Sequence, residues 1–306
     1  MATVPSGKQY ELTLGDQQAT IVEVGGGVRD YRHGDRDVLH GYDIDAMCDG
    51  AHGAPLVPWP NRIADGRYTW DGADQQVPLS EPEKNNAIHG FLRWRSWSPT
   101  DRSPTHVVMA TTMHALKGYP FSLDVTVCYE LTEAGLVVST GATNIGTADA
   151  PFACGQHPYL SPGTGVVDDC TLTFSAATRI DTDDERQLPT GQVPVAGTVY
   201  DVADGRPLGS TAIDYAFTDV ARDDAGRAWV SLTGADGRTV DLWVGPDYPI
   251  VEIYTADTLS ADRRRGGLGV EPMTAPPNAF ATGEQLVRLA PGDSVVRTWG
   301  VGLRAT

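Results

Sequence analysis

The chain has 306 residues, 41% hydrophobic and 21% charged, with a formal charge of −17 at pH 7. That composition is globular and supplies enough apolar surface for a core, which excludes a disordered chain. The acidity excludes nucleic acid as a partner, because most of the surface would repel a phosphate backbone. Otherwise it reads as an ordinary solvated surface, to which a neutral ligand is indifferent.

The first segment, Met1 to Tyr10, is polar and lacks the charged start and apolar run of a signal peptide. No stretch reaches the roughly 18 uninterrupted apolar residues of a membrane span. The expectations are a cytoplasmic protein and no membrane partner.

Tyr10–Leu14 and Thr20–Val24 read as the first strands. They are short runs rich in Val, Thr, Tyr and Leu, closed by Gly, Pro, Asn or Asp. Asp43–Arg62, with Pro55, Pro58 and Pro60, reads as a long loop. Further strands are expected at His106–Met113, Leu123–Leu131, Leu136–Asn144 and Cys170–Ser175. Leu123–Leu131 alternates Leu123, Val125, Val127, Tyr129 and Leu131 with Asp124, Thr126, Cys128 and Glu130, the pattern of a half-buried strand. Asp181–Thr211, with scattered Asp, Gly and Pro, reads as a second long loop. The last strands are expected at Trp229–Thr233, Thr239–Val244, Ile250–Tyr254 and Ser294–Leu303.

Turn residues at Trp70-Asp71-Gly72, Ala235-Asp236-Gly237-Arg238 and Ala290-Pro291-Gly292-Asp293 predict hairpin connections. No apolar stripe at helical spacing persists over three turns, and 34 Gly and 21 Pro would interrupt helices. The fold class predicted is all-β, a large antiparallel sandwich, with residues 1–306 as one domain although length alone would allow two.

Cys48, Cys128, Cys154 and Cys170 lie far apart without a Cys-x-x-Cys pair, which argues for free thiols in a reducing compartment and against a zinc site. No histidine has a metal-ligand partner four residues on, so no metal is expected. His33, His40, His52, His106 and His114 sit in polar or ordinary strand contexts that call for surface or structural roles.

His89 and His157 differ. His157 lies between Phe152–Gln156 and Pro158-Tyr159, where proline fixes the backbone just beyond it. His89 is set in the turn-rich Asn85–Phe91. Both are candidates for acid–base work.

Glu271, in Gly266–Phe280, has apolar neighbours and closely spaced prolines. A desolvated carboxylate there would be a better base near neutrality. Asp214 is one acid among Ile213, Tyr215 and Phe217, and Arg62 closes the proline-rich loop after Asn61 with several donors for ligand oxygens. Trp59, Trp94, Trp97 and Trp243 are candidate stacking platforms, core packing being the commoner use.

Taken in order, Asn61-Arg62, Ile88-His89-Gly90, Gln156-His157-Pro158-Tyr159, Ile213-Asp214 and Gly269-Val270-Glu271-Pro272-Met273-Thr274 resemble the aldose 1-epimerase (galactose mutarotase) family. The resemblance implies a β-supersandwich without metal or organic cofactor and a small sugar as partner; the oligomeric state stays open. It puts the general base on Glu271 and the general acid on His157, with Asn61, Arg62, His89, Asp214 and Glu252 binding the sugar. Glu252 is a departure, since well-known galactose mutarotases often carry Gln on that strand.

The reaction implied is anomer interconversion of a free aldohexose. The rival readings are a hexose-6-phosphate 1-epimerase, with Arg93 and Arg95 starting a phosphate site, and glycoside hydrolysis by Asp214 and Glu271. Hydrolysis needs carboxyls roughly 5–5.5 Å or 6.5–9.5 Å apart. A non-catalytic carbohydrate-binding sandwich is the remaining one.

Overall fold

The structure is a computed structural model that describes residues 3–163 and 165–304. Two large antiparallel sheets dominate it. The larger, of twelve strands, runs from Gln9–Leu14 through Gln17–Val22, Val28–His33, Arg36–Leu39 and Tyr159–Leu160. It continues through Leu268–Met273, Ile250–Tyr254, Asp214–Val220 and Ala176–Thr182 to Pro189–Pro194. The nine-stranded sheet runs from Ser98–Arg102 through His106–Met113, Leu123–Thr132, Gly135–Asn144 and Ser294–Leu303. Thr239–Val244, Ala228–Thr233, Thr171–Phe174 and Val202–Pro207 complete it.

The alternation in Leu123–Thr132 does what the sequence predicts: every second side chain from Leu123 to Leu131 is buried. Those residues meet Val251, Ile253, Leu268 and Val270 of the other sheet in one continuous apolar cluster. Because strand side chains alternate between faces, Glu252 and Glu271 point to the opposite face of the larger sheet, under the loops.

Two expectations need correction. Asp181–Thr211 is not one long loop: it contains the strands Pro189–Pro194 and Val202–Pro207. Both lie at sheet edges and are mostly exposed, so they carry polar and turn residues rather than apolar alternation. The Ala290–Asp293 turn forms, with Asp293 N–H donating to Ala290 O at 2.9 Å, but it is not a hairpin. Its flanking strands Val287–Leu289 and Ser294–Leu303 belong to different sheets. The other two turns do join paired strands. Among the described residues no helix is long and apolar enough to cross a membrane.

Candidate active site

Asn61 and His89 both adopt left-handed backbone conformations, φ 52° and 62°. Each stabilises the other: His89 N–H donates to Asn61 O at 3.0 Å, and Asn61 N–H donates to His89 Nδ1 at 3.2 Å. A ring that accepts at Nδ1 carries its proton on Nε2 when neutral, so His89 offers a donor to the cleft.

Arg62 begins the strand Arg62–Ala64, paired with Asn86–Ile88. Its guanidinium holds Glu81 through two hydrogen bonds of 2.8 and 2.9 Å.

His157 sits in the short gap between Gly155–Gln156 and Tyr159–Leu160. Its N–H donates to Ala54 O at 3.1 Å and its carbonyl accepts from Gly53 N–H at 2.8 Å. The ring stacks on Tyr159 with centroids 4.8 Å apart, and Tyr159 stacks on His52 at 3.7 Å. His52 is therefore buried and structural, and His40 Nδ1 meets its Nε2 at 3.2 Å.

Glu252 and Glu271 are cross-strand partners, and Asp214 faces Tyr254 one strand further on. The fold thus gathers all seven sequence-predicted site residues, Asn61, Arg62, His89, His157, Asp214, Glu252 and Glu271, around one cavity of about 500 Å³. At its base His157 Nε2 lies 3.1 Å from Glu271 Oε1. The other oxygen, Glu271 Oε2, is buried and makes no hydrogen bond with the described residues. A hollow of similar volume, about 520 Å³, runs along Arg67–Thr69 and Asp74–Gln76 but gathers no such constellation.

Burial sets the protonation. It pushes Glu271 up to about 8, helped by Asp214, and His157 down to about 3. His89 is pushed well below the usual histidine value, first by burial and then by His157. Glu252 is pushed well above the carboxylate range by burial, then by Glu271 and Asp214. Burial of both groups favours the neutral tautomer, carboxylic acid and imidazole, over the ion pair.

His89, His157 and Glu271 have ligand atoms within 4.8 Å of one another. The Asn61 hydrogen bond leaves His89 a proton rather than a lone pair to offer that group, a poor donor set for a cation.

None of the four candidate tryptophans lines the cavity; Trp59 and Trp97 are core residues. The aromatic walls are Tyr159 and Tyr254, and Glu81, Lys84, Arg93 and Gln187 also line it. Of these, sequence reading singled out only Arg93. Arg95 does not reach the cavity.

The family model for aldose 1-epimerase matches residues 8–299. The chain is 33% identical to the uncharacterized protein YihR of Escherichia coli K12 over 288 residues, 94% of this chain and 90% of that one. It is also 33% identical to galactose mutarotase of Rattus norvegicus over 171 residues, 53% of this chain and 48% of the rat protein. The GalM/aldose epimerase homologue from C. elegans superposes with a TM-score of 0.86 at 19% identity, over 97% of this chain and 98% of that one.

Proposed function

Since the chain belongs to the aldose 1-epimerase family, we propose that it interconverts the α and β anomers of a free aldohexose. The observation that carries this reading is the 3.1 Å contact between His157 Nε2 and Glu271 Oε1 beneath a cavity ringed by hydrogen-bonding groups.

Mutarotation needs one proton taken from the anomeric hydroxyl O1 and one given to the ring oxygen O5. Glu271 accepts the O1 proton as the C1=O1 double bond forms and the C1–O5 bond breaks, and His157 protonates O5. Rotation about C1–C2 presents the other face of the aldehyde, and closure runs the two transfers in reverse. Before opening, the pair is carboxylate and imidazolium; after it, carboxylic acid and neutral imidazole. The second tautomer is the one burial favours, so a proton hop across the 3.1 Å contact arms the pair. Each positioned group contributes on the order of 10²–10⁴-fold.

Asn61, Arg62, His89, Asp214 and Glu252 bind hydroxyls between the walls formed by Tyr159 and Tyr254. A single domain without metal or cofactor is sufficient for this chemistry.

The test is polarimetry of freshly dissolved α-glucose, α-galactose and other aldoses. The expected result is a faster approach to equilibrium rotation with at least one of them; binding without acceleration would mark a carbohydrate-binding protein instead.

Arg93 favours a second reading, a sugar bearing an anionic group such as a hexose 6-phosphate. Its guanidinium side chain lines the cavity and has no acidic partner within salt-bridge distance among the described residues. Competition by glucose 6-phosphate against free glucose separates the two.

A further inference from the structure

Gln187 is absorbed by none of the roles above, yet its side chain lies between two of the proposed sugar-binding groups. It belongs to the turn joining Ala176–Thr182 to Pro189–Pro194. Asp183 shapes that turn: its carbonyl accepts from Gln187 N–H at 3.0 Å, and its carboxylate accepts from Leu188 N–H at 3.0 Å. Gln187 is held at φ 54°, a conformation an L side chain adopts only when its surroundings impose it.

The neighbouring Arg186 does the imposing. Its guanidinium reaches Lys84 O at 3.0 Å, Asp65 Oδ1 at 2.9 Å, Asn85 O at 2.8 Å and Asn86 Oδ1 at 3.1 Å. These bonds tie the turn to the strand that pairs with the strand of Arg62.

The Gln187 amide is thereby fixed with each end toward an opposite charge. Oε1 accepts from Arg62 Nη2 at 2.9 Å and from Lys84 Nζ, and Nε2 donates to Asp214 Oδ2. Arg62 and Asp214 make no direct ion pair among the described residues. Arg62 Nη1 and Asp214 Oδ1 have no hydrogen-bond partner among those residues.

Arg62 already gives Nε and Nη2 hydrogen bonds to Glu81, and a direct contact with Asp214 would consume the donors it has left. A neutral amide satisfies one atom on each side and holds the charges apart by its own length.

We propose that Gln187 is a positioning residue for sugar binding, a neutral spacer that keeps Asp214 from taking the donors Glu81 leaves on Arg62 and so keeps Nη1 and Oδ1 available to hydroxyls. The role rests on the functional reading above.

The experiment compares wild type with Gln187→Ala and Gln187→Glu by polarimetric kinetics, thermal melting and crystallography. In Gln187→Ala, Arg62 and Asp214 are expected to meet directly, and KM to rise about tenfold with kcat nearly unchanged. In Gln187→Glu the new carboxylate opposes Asp214, so KM rises further and partly recovers as the pH is lowered and the carboxyls take up protons. A lower melting temperature with wild-type KM, or an alanine variant whose Arg62 and Asp214 stay apart, overturns the proposal. If wild type accelerates no sugar, the functional reading fails, while the alanine variant's structure still decides the spacer.

Discussion

Glu252 faces Glu271 across adjacent strands, with Asp214 and Arg62 also near it and Asn61 Nδ2 donating to its Oε2 at 3.3 Å. Two buried carboxylates side by side cannot both ionise cheaply, and Arg62 alone, already paired with Glu81, does not offset the burial of Glu252. The raised pKa favours the protonated form of Glu252, which presents a hydroxyl donor and a carbonyl acceptor, the hydrogen-bonding equivalent of an amide. Glu252→Gln is expected to retain turnover within about threefold at pH 6 to 7. The raised pKa means that the neutral form of Glu252 is lost only on the alkaline side, so the wild type's alkaline limb combines that loss with the deprotonation of the Glu271–His157 pair, and the variant shows the second alone. Polarimetric pH profiles check this; a hundredfold loss in the variant at pH 6, or an unchanged alkaline limb, contradicts it.

Among the elements, several strands with a buried face were legible, the edge strand Gln9–Leu14 among them, and two mostly exposed edge strands were not. A strand such as Leu123–Thr132, buried on alternate residues, writes its pattern into the sequence. Pro189–Pro194 and Val202–Pro207, bordered on one side only and exposed apart from Val202, have almost no core face to record.

The Ala290–Asp293 turn was readable as a turn but not as a crossing between sheets, since local turn chemistry is silent about which partner a strand takes. Glu81, Gln187, Tyr159 and Tyr254 were missed as cavity residues because each is ordinary in its own segment and meaningful only beside distant ones. The segment before His157 shows the same dependence.

Gly53, at φ 64°, donates to His157 O, and its carbonyl accepts from Val28 N–H and Gln156 Nε2. A Cβ there would stand 1.9 Å from Val28 O, which is backbone and cannot swing aside. Gly53→Ala is expected to cost about 2–4 kcal/mol and lower the melting temperature by at least about 5 °C. Because the strain is transmitted to His157, kcat should fall more than KM rises. An unchanged melting curve and unchanged kcat would contradict this.

Over the whole molecule, the two sheets share a core on one side of the larger sheet, while that sheet's other face, roofed by loops, forms the cavity. No local stretch of sequence contains the site. Residues from Asn61 to Glu271 meet only because their strands and loops converge on that face. The order of short motifs along the chain made the family legible, whereas the contact between imidazole and carboxyl, and the tautomer it favours, required the fold.

The proposed action of Glu271 and His157 as one proton-exchanging pair is decided by kcat for Glu271→Gln, His157→Asn and the double variant, measured by polarimetry on the preferred aldose. Each single change is expected to cost about 10²–10⁴-fold, and the double variant to be little worse than the poorer single one, as groups acting as a unit behave. Wild-type turnover in either single variant would contradict it.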